Sequence, residues 1–165
     1  MVDLQYAIIK GYHTEQPIRG TKYSAGLDVF IPYLTPEFVE DFQSKNPGIS
    51  IAGGFFVIPP HARIILPTGL KFNIPEGTYL EVANRGSVAA KMGLIRGAFV
   101  IDSDYVGNVF INLINTSDKD VIIRPAEKIA QLIHKEYIHS TLKLISEEEI
   151  KKTIRGDGAL GSTGK

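Results

Sequence analysis

"NVFINLIN", residues 108–115, sets Val109, Ile111 and Leu113 against Asn108 and Asn112. An alternation of period two is that of a strand with one face in a core and the other wet. Segments of similar length and composition recur on both sides: "LQYAII" (4–9), "LDVFI" (27–31), "FFVI" (55–58), "ARIIL" (62–66), "LKFNI" (70–74), "TYLEVA" (78–83), "DVIIR" (120–124), "KIAQLIHKEYI" (128–138) and "TLKLI" (141–145). Sixteen Gly and nine Pro punctuate them, and short strands with turn residues between them predict an all-β domain. Several segments are apolar on both faces and need cover from a second sheet or another subunit. The expected architecture is a distorted jelly roll or β-barrel-like subunit with one or two short helices.

Helix signals are few. Thr35 and Pro36 suit the cap and first turn of "PEFVEDFQSK" (36–45), Ser146 and Glu149 form a capping-box pattern, and "GSVAAKM" (86–92) reads as one short buried helix.

The chain has 165 residues, 44% hydrophobic and 22% charged, which suits a single globular domain. Lys plus Arg and Asp plus Glu both number 18, so no net basic field draws nucleic acid, and none is expected as a partner. The absence of cysteine excludes disulfides, thiolate zinc sites and a thiol nucleophile. The four histidines follow no metal-ligand spacing. No apolar run approaches the roughly 20 residues of a membrane span, and "MVDLQYAIIK" has an acid where a signal peptide has base. The expectation is a cytoplasmic protein with no membrane partner.

Two stretches invite chemistry. In "GAFVIDSDYVG" (97–107) an apolar run ends in Asp102, Asp104 and Tyr105; taken alone this is a turn, with Asp104 accepting turn N–H groups. The end of the chain, "RGDGALGSTGK" (155–165), is glycine-rich and cannot pack a core, yet its backbone N–H groups, hydroxyls and Arg155 can wrap an anion. It is not a Walker loop, because Ala159 stands where the first Gly belongs.

Together with "AGLDVF" (25–30), "NRGSVAAKMG" (84–93) and "KIAQLI" (128–133), these stretches resemble the five ordered motifs of the trimeric dUTPase family. The resemblance spans nearly the whole chain. It implies a domain over 1–153 with a glycine-rich C-terminal arm over 154–165, a homotrimer with shared active sites, and dUTP as the substrate. The implied reaction is Mg²⁺-assisted attack of water at the α-phosphorus, giving dUMP and pyrophosphate, which limits uracil in DNA. Asp102 would be the general base on that water. Tyr105 would pack against the deoxyribose and exclude a 2′-hydroxyl, while Phe99, Val100 and Ile101 fall on the base-reading hairpin. Arg85, Gly86 and Ser87, at the start of a helix, and Gln131 would hold phosphate oxygens. Asp28 would act on Mg²⁺ through water. From the arm, Arg155, Leu160, Gly161, Ser162 and Thr163 would close over the nucleotide.

The sequence departs from the family pattern mainly where the base is read. Arg96 and Phe99 replace the usual Asn and Gly of the hairpin, and Leu160 replaces the Phe that stacks on the base. Lesser swaps put Gly86 after Arg85, and Lys128 for Arg in the fourth motif. A same-fold diphosphatase for another pyrimidine (dCTP, dTTP or a modified base) and a non-enzymatic interaction protein are the alternatives. A dCTP deaminase would need a Glu where Asn112 stands. Residues 33–54 are longer than the family needs between its first motif and "LPTG", and read either as a surface insertion or as a docking surface.

Overall fold

The computed structural model describes residues 3–158. In chain order the described elements are β1 (Gln5–Ile8), β2 (Ile18–Arg19), β3 (Leu27–Phe30), α1 (Pro36–Lys45), β4 (Ser50–Ala52), β5 (Phe55–Ile58), β6 (Arg63–Pro67) and β7 (Leu70–Asn73). They continue with β8 (Thr78–Asn84), α2 (Gly86–Met92), β9 (Leu94–Arg96), β10 (Val100–Ile101), β11 (Phe110–Asn115), β12 (Val121–Ile123), β13 (Lys128–Glu136) and a 3₁₀ turn at Glu147–Glu149. The strands form four small sheets, in the orders β10-β8-β13-β3-β2, β6-β11-β9, β12-β5-β4 and β1-β7. Every strand pair is antiparallel.

The alternation in residues 109–113 is what seats β11 in the middle of its sheet. Val109, Ile111 and Leu113 are at most 1% exposed, while the backbone pairs on both sides with β6 and β9. Asn115 ends the strand as a fully buried amide. Its Nδ2 donates to the carbonyls of Ile58, Pro59 and Lys119 and its Oδ1 accepts from Ser117 N–H, so a polar side chain in the core has its hydrogen bonds met.

The Thr35 and Pro36 signal marks α1 correctly, with Thr35 Oγ1 accepting the Phe38 N–H at 3.2 Å. What this helix buries corrects the reading of 33–54 as a surface insertion. Phe38 and Phe42, four apart and hence on one face, are fully buried, with ring centroids 5.8 and 4.9 Å from that of Phe56. Asn46 then takes the place of a strand along β6, donating from Nδ2 to the Ile65 carbonyl and accepting the Ile65 N–H at Oδ1, each at 2.8 Å. Through Phe38, Phe42 and Asn46 the segment is anchored in the core, while most of its other residues stay at the surface.

Two further expectations change. The helix over 86–92 exists, but Val88 is its one buried residue. "TLKLI" forms no strand, because it runs beyond β13 without pairing to any described strand of this chain; Leu142 and Leu144 are 100% and 98% exposed. The Ser146–Glu149 capping box forms, around a single 3₁₀ turn. Among the described residues no helix is long and apolar enough to cross a membrane.

Candidate active site

β8 is the spine of the site, because the residues of interest lie at its two ends. At its C-terminal end, Asn84 gives way to Arg85, which is the N-cap of α2. Neighbouring β13 brings Gln131 opposite both Ala83 and Asp28. A polar cleft of about 290 Å³ results, lined by Gly20, Ser24, Gly26, Asp28, Arg85, Gly86, Ser87 and Gln131. The sequence-predicted phosphate residues Arg85, Gly86, Ser87 and Gln131 therefore come together from two separate segments, with Asp28 from a third beside them.

Each is held by a specific contact. Arg85 donates from Nε to Asp28 Oδ1 at 2.9 Å and from Nη1 to the Lys128 carbonyl at 3.1 Å, which orients the guanidinium and leaves its remaining N–H groups for an anion. Gln131 Nε2 donates to the Asn84 carbonyl at 2.8 Å. Gly26 is required where it is, because a Cβ there would overlap the Gln131 side chain.

Asp28 is 8% exposed, with Oδ1 against Arg85 and Oδ2 at 3.0 Å from Lys128 Nζ. A buried carboxylate enclosed by two cations has its charge already met. Among the described residues no group of three or more His, Cys, Asp or Glu is placed to hold a metal ion. Through the first of these pairs Asp28 orients the Arg85 guanidinium toward the cleft that both residues line.

The other end of β8 carries the turn that holds Asp102. β10 pairs through Val100 with Glu81 and through Ile101 with Leu80, and the chain then turns with Tyr105 N–H donating to the Asp102 carbonyl at 3.1 Å. Val100, Ile101, Asp102, Tyr105, Val109 and Phe110 line a second cleft, of about 220 Å³. Here an exposed carboxylate stands beside an aromatic ring over an apolar floor. Asp104 faces a neighbouring cleft with Ile74, Glu76, Asp102, Ser103 and Tyr137. The turn contacts expected of Asp104 come instead from the Tyr105 backbone N–H and from the Tyr105 hydroxyl, which donates to the Asn108 carbonyl at 2.7 Å.

Arg96 is accommodated by charge and by stacking. Its Nη1 donates to Glu81 Oε1 at 2.9 Å and to the Val82 carbonyl, and its guanidinium carbon lies 4.5 Å from the Phe99 ring centroid. Lys135 completes the cluster. Its hydrogen bond, offset by burial and reinforced by Arg96, holds the Glu81 carboxyl below its ordinary pKa. Phe99, 46% exposed, lies under Arg96 and outside the Asp102 cleft.

Arg155 lines neither of these clefts; its Nε donates to the Gly158 carbonyl in the exposed C-terminal segment. Leu160, Gly161, Ser162 and Thr163 lie outside the described residues. The sequence reading missed Asp28 as the partner of Arg85 and Phe110 as a wall of the Asp102 cleft. The acid in "AGLDVF" and the basic residues in "NRGS" and "KIAQ" were visible, but their pairing depends on the β13–β3 register.

The family model described as dUTPase matches residues 51–164. The deoxyuridine 5'-triphosphate nucleotidohydrolase of Candida glabrata is 33% identical over 157 residues, covering 95% of this chain and 94% of that protein. That of Paramecium bursaria Chlorella virus 1 is 35% identical over 148 residues, covering 90% and 89%. Among solved structures, a variant of the Staphylococcus bacteriophage 80alpha dUTPase with dUpNHpp superposes over 100% of both chains with a TM-score of 0.76 at 23% identity, which is a match of fold. A variant of the phage phi11 dUTPase, in which a structural Mg(II) ion is coordinated, matches with a TM-score of 0.67 at 22% identity over 90% of this chain and all of the other. By its match to the family model, and by relatives more than 30% identical along nearly its full length, the chain belongs to the dUTPase family.

Proposed function

We infer that this protein hydrolyses dUTP to dUMP and pyrophosphate, and that it does so as a homotrimer whose sites are shared between subunits. The observation that carries this reading is the gathering of Arg85, Gly86, Ser87 and Gln131 into one polar cleft. Together they offer a guanidinium, a hydroxyl, an amide and the open N–H groups of a helix start, which are the donors a polyphosphate needs.

In this reading Asp102 accepts a proton from a water as that water attacks the α-phosphorus. The new P–O bond forms as the bond to the bridging oxygen breaks, and pyrophosphate leaves with that oxygen and its electron pair. Arg85, Ser87 and Gln131 hold the oxygens on which charge accumulates. Tyr105 packs against the deoxyribose, while Val100 and Ile101 present the backbone that meets the base. Arg155, Leu160, Gly161, Ser162 and Thr163 form an arm that closes over the nucleotide and excludes water. Magnesium would enter on the phosphates of the substrate and supply positive charge there, with Asp28, beside Arg85 in the phosphate cleft, acting on it through water.

Sharing between subunits is supported by the distance between the two ends of β8. Asp102 follows the residue paired with Leu80, so it lies level with Tyr79, and Arg85 is six positions further along; at about 3.3 Å per residue the separation is roughly 20 Å. The sheet order widens it, because β10 flanks β8 on one side and the partners of Arg85, on β13 and β3, lie on the other. A second copy supplying the missing half brings base and phosphate donors to one nucleotide. Exposed Ile138, Leu142, Leu144 and Ile154 in the segment after β13 provide apolar surface for such an assembly.

Uracil selectivity is tested by pyrophosphate release from dUTP, dCTP and dTTP. The dUTP reading predicts a clear preference for dUTP, and equal rates would give the site to pyrimidine nucleotides in general, with the Arg96–Phe99 stack as the altered feature.

A further inference from the structure

Asn108, which follows the catalytic turn, is tied to three other parts of the chain. Its Oδ1 accepts the Gly69 N–H at 2.9 Å, and its Nδ2 donates to Tyr12 Oη and to Asp41 Oδ2, both at 3.1 Å. Its carbonyl is the acceptor for the Tyr105 hydroxyl at 2.7 Å. Tyr12 Oη in turn donates to Asp41 Oδ2 at 2.6 Å. The direction of every proton is thereby set: the amide and the phenol both donate, and Asp41 must accept as a carboxylate. Burial raises the Asp41 pKa, but the hydrogen bonds from Lys45, Tyr12 and Asn108 outweigh it and hold the group below its ordinary value.

The surroundings make these contacts stiff. A Cβ at Gly69, whose φ is +70°, would run into the Tyr12 ring, so ring and turn are in close contact. The Tyr105 ring folds back over Gly107, where a Cβ would stand 2.6 Å from its hydroxyl. Lys45, paired with Asp41, lies 4.9 Å from the centroid of the Phe110 ring, and Phe110 lines the cleft that holds Asp102 and Tyr105. Asp41 thus touches both flanks of that cleft through one intermediate on each side, although it belongs to α1, outside the matched family range.

We propose that Asp41 is a positioning residue for the catalytic turn: through Tyr12 and Asn108 it fixes the Tyr105 ring against the sugar, and so sets the discrimination between deoxyribose and ribose. This rests on the reading of the site as a dUTP hydrolase. A helix that otherwise serves the core then also governs substrate choice. Side chains whose rotamers are locked by hydrogen bonds hold a wall in place, and a wall that moves by about 1 Å can cost on the order of a hundredfold in rate.

The test compares Asp41→Asn and Tyr12→Phe with wild type, measuring kcat/KM for dUTP and for UTP and amide hydrogen exchange across the turn. The expected result is a fall of about tenfold or more in the dUTP-over-UTP preference, with faster exchange at the Tyr105 N–H and unchanged exchange along β13. Tyr105→Phe, which removes the hydroxyl bond to Asn108, should reduce the same preference, and combining it with Tyr12→Phe should add little further loss. A lowered melting temperature with the preference and the turn exchange both unchanged would overturn the proposal and leave Asp41 as support for the helix alone. If the wild type releases pyrophosphate from neither nucleotide, the hydrolase reading fails. The exchange comparison then still decides whether Asp41 orders the turn. Tyr12→Phe keeps the ring against Gly69 and carries the test should Asp41→Asn fail to fold.

Discussion

An Asp102→Asn protein is expected to bind a non-hydrolysable dUTP analogue as the wild type does and to lose about a hundred- to ten-thousand-fold in kcat, the usual range for removing a general base. Asp102 is exposed at the end of a short strand, in a cleft whose other walls are Val100, Ile101, Tyr105, Val109 and Phe110. None of those walls carries a carboxylate or an imidazole, so the base role has no substitute within the cleft. Asn keeps the shape and one acceptor oxygen, so water and nucleotide still bind, but the amide has no useful basicity. Single-turnover rates together with analogue affinity separate the two effects. An Asn protein that turns over at the wild-type rate would remove Asp102 from the mechanism.

Phe42→Ala is expected to cost about 3–5 kcal/mol of stability, the range for deleting a fully buried Phe whose cavity cannot collapse. Phe42 is 0% exposed and sits between Phe38 and Phe56, with centroids at 5.9 and 4.9 Å. The backbone behind it is pinned, since Asn46 Nδ2 donates both to the Phe42 carbonyl and to Ile65 on β6. Denaturant unfolding at fixed protein concentration measures the loss. A change below about 1 kcal/mol would be that of a surface substitution and would return 33–54 to the status of an appended loop.

The strands were legible wherever burial is one-sided, and β11 is the clearest case because its alternation and its paired position are two views of the same constraint. "TLKLI" alternates as well, but pattern reports the side-chain faces, whereas a strand also needs a neighbouring edge, which depends on the whole assembly. The start of α1 was legible because Thr35 and Pro36 act locally. Its buried face was not, because Glu37, Glu40, Asp41 and Lys45 surround Phe38 and Phe42 in sequence and give the stretch a surface composition. In the site, residues carrying their chemistry in their own type, such as Asp102, Tyr105, Arg85 and Gln131, stand out by motif, and each lines one of the two clefts. Partnerships across the fold were not: Arg85 meets Asp28 over 57 positions, and Asn108 meets Tyr12 over 96. Such pairs are set by register and packing, which single-sequence periodicity does not encode.

In the proposed assembly one working site takes Asp102 from one copy of the chain and Arg85 from another. The direct measurement mixes two chains that are each inactive alone, Asp102→Asn and Arg85→Ala, by co-expression, and assays dUTP hydrolysis by the purified mixed assemblies. Random assortment of equal amounts gives about a quarter of the sites both intact residues when those residues come from different subunits of a closed symmetric assembly. Recovery of activity toward that fraction is the predicted result. No recovery, in mixed assemblies shown to contain both chains, would contradict the account by placing both residues of each site on a single chain.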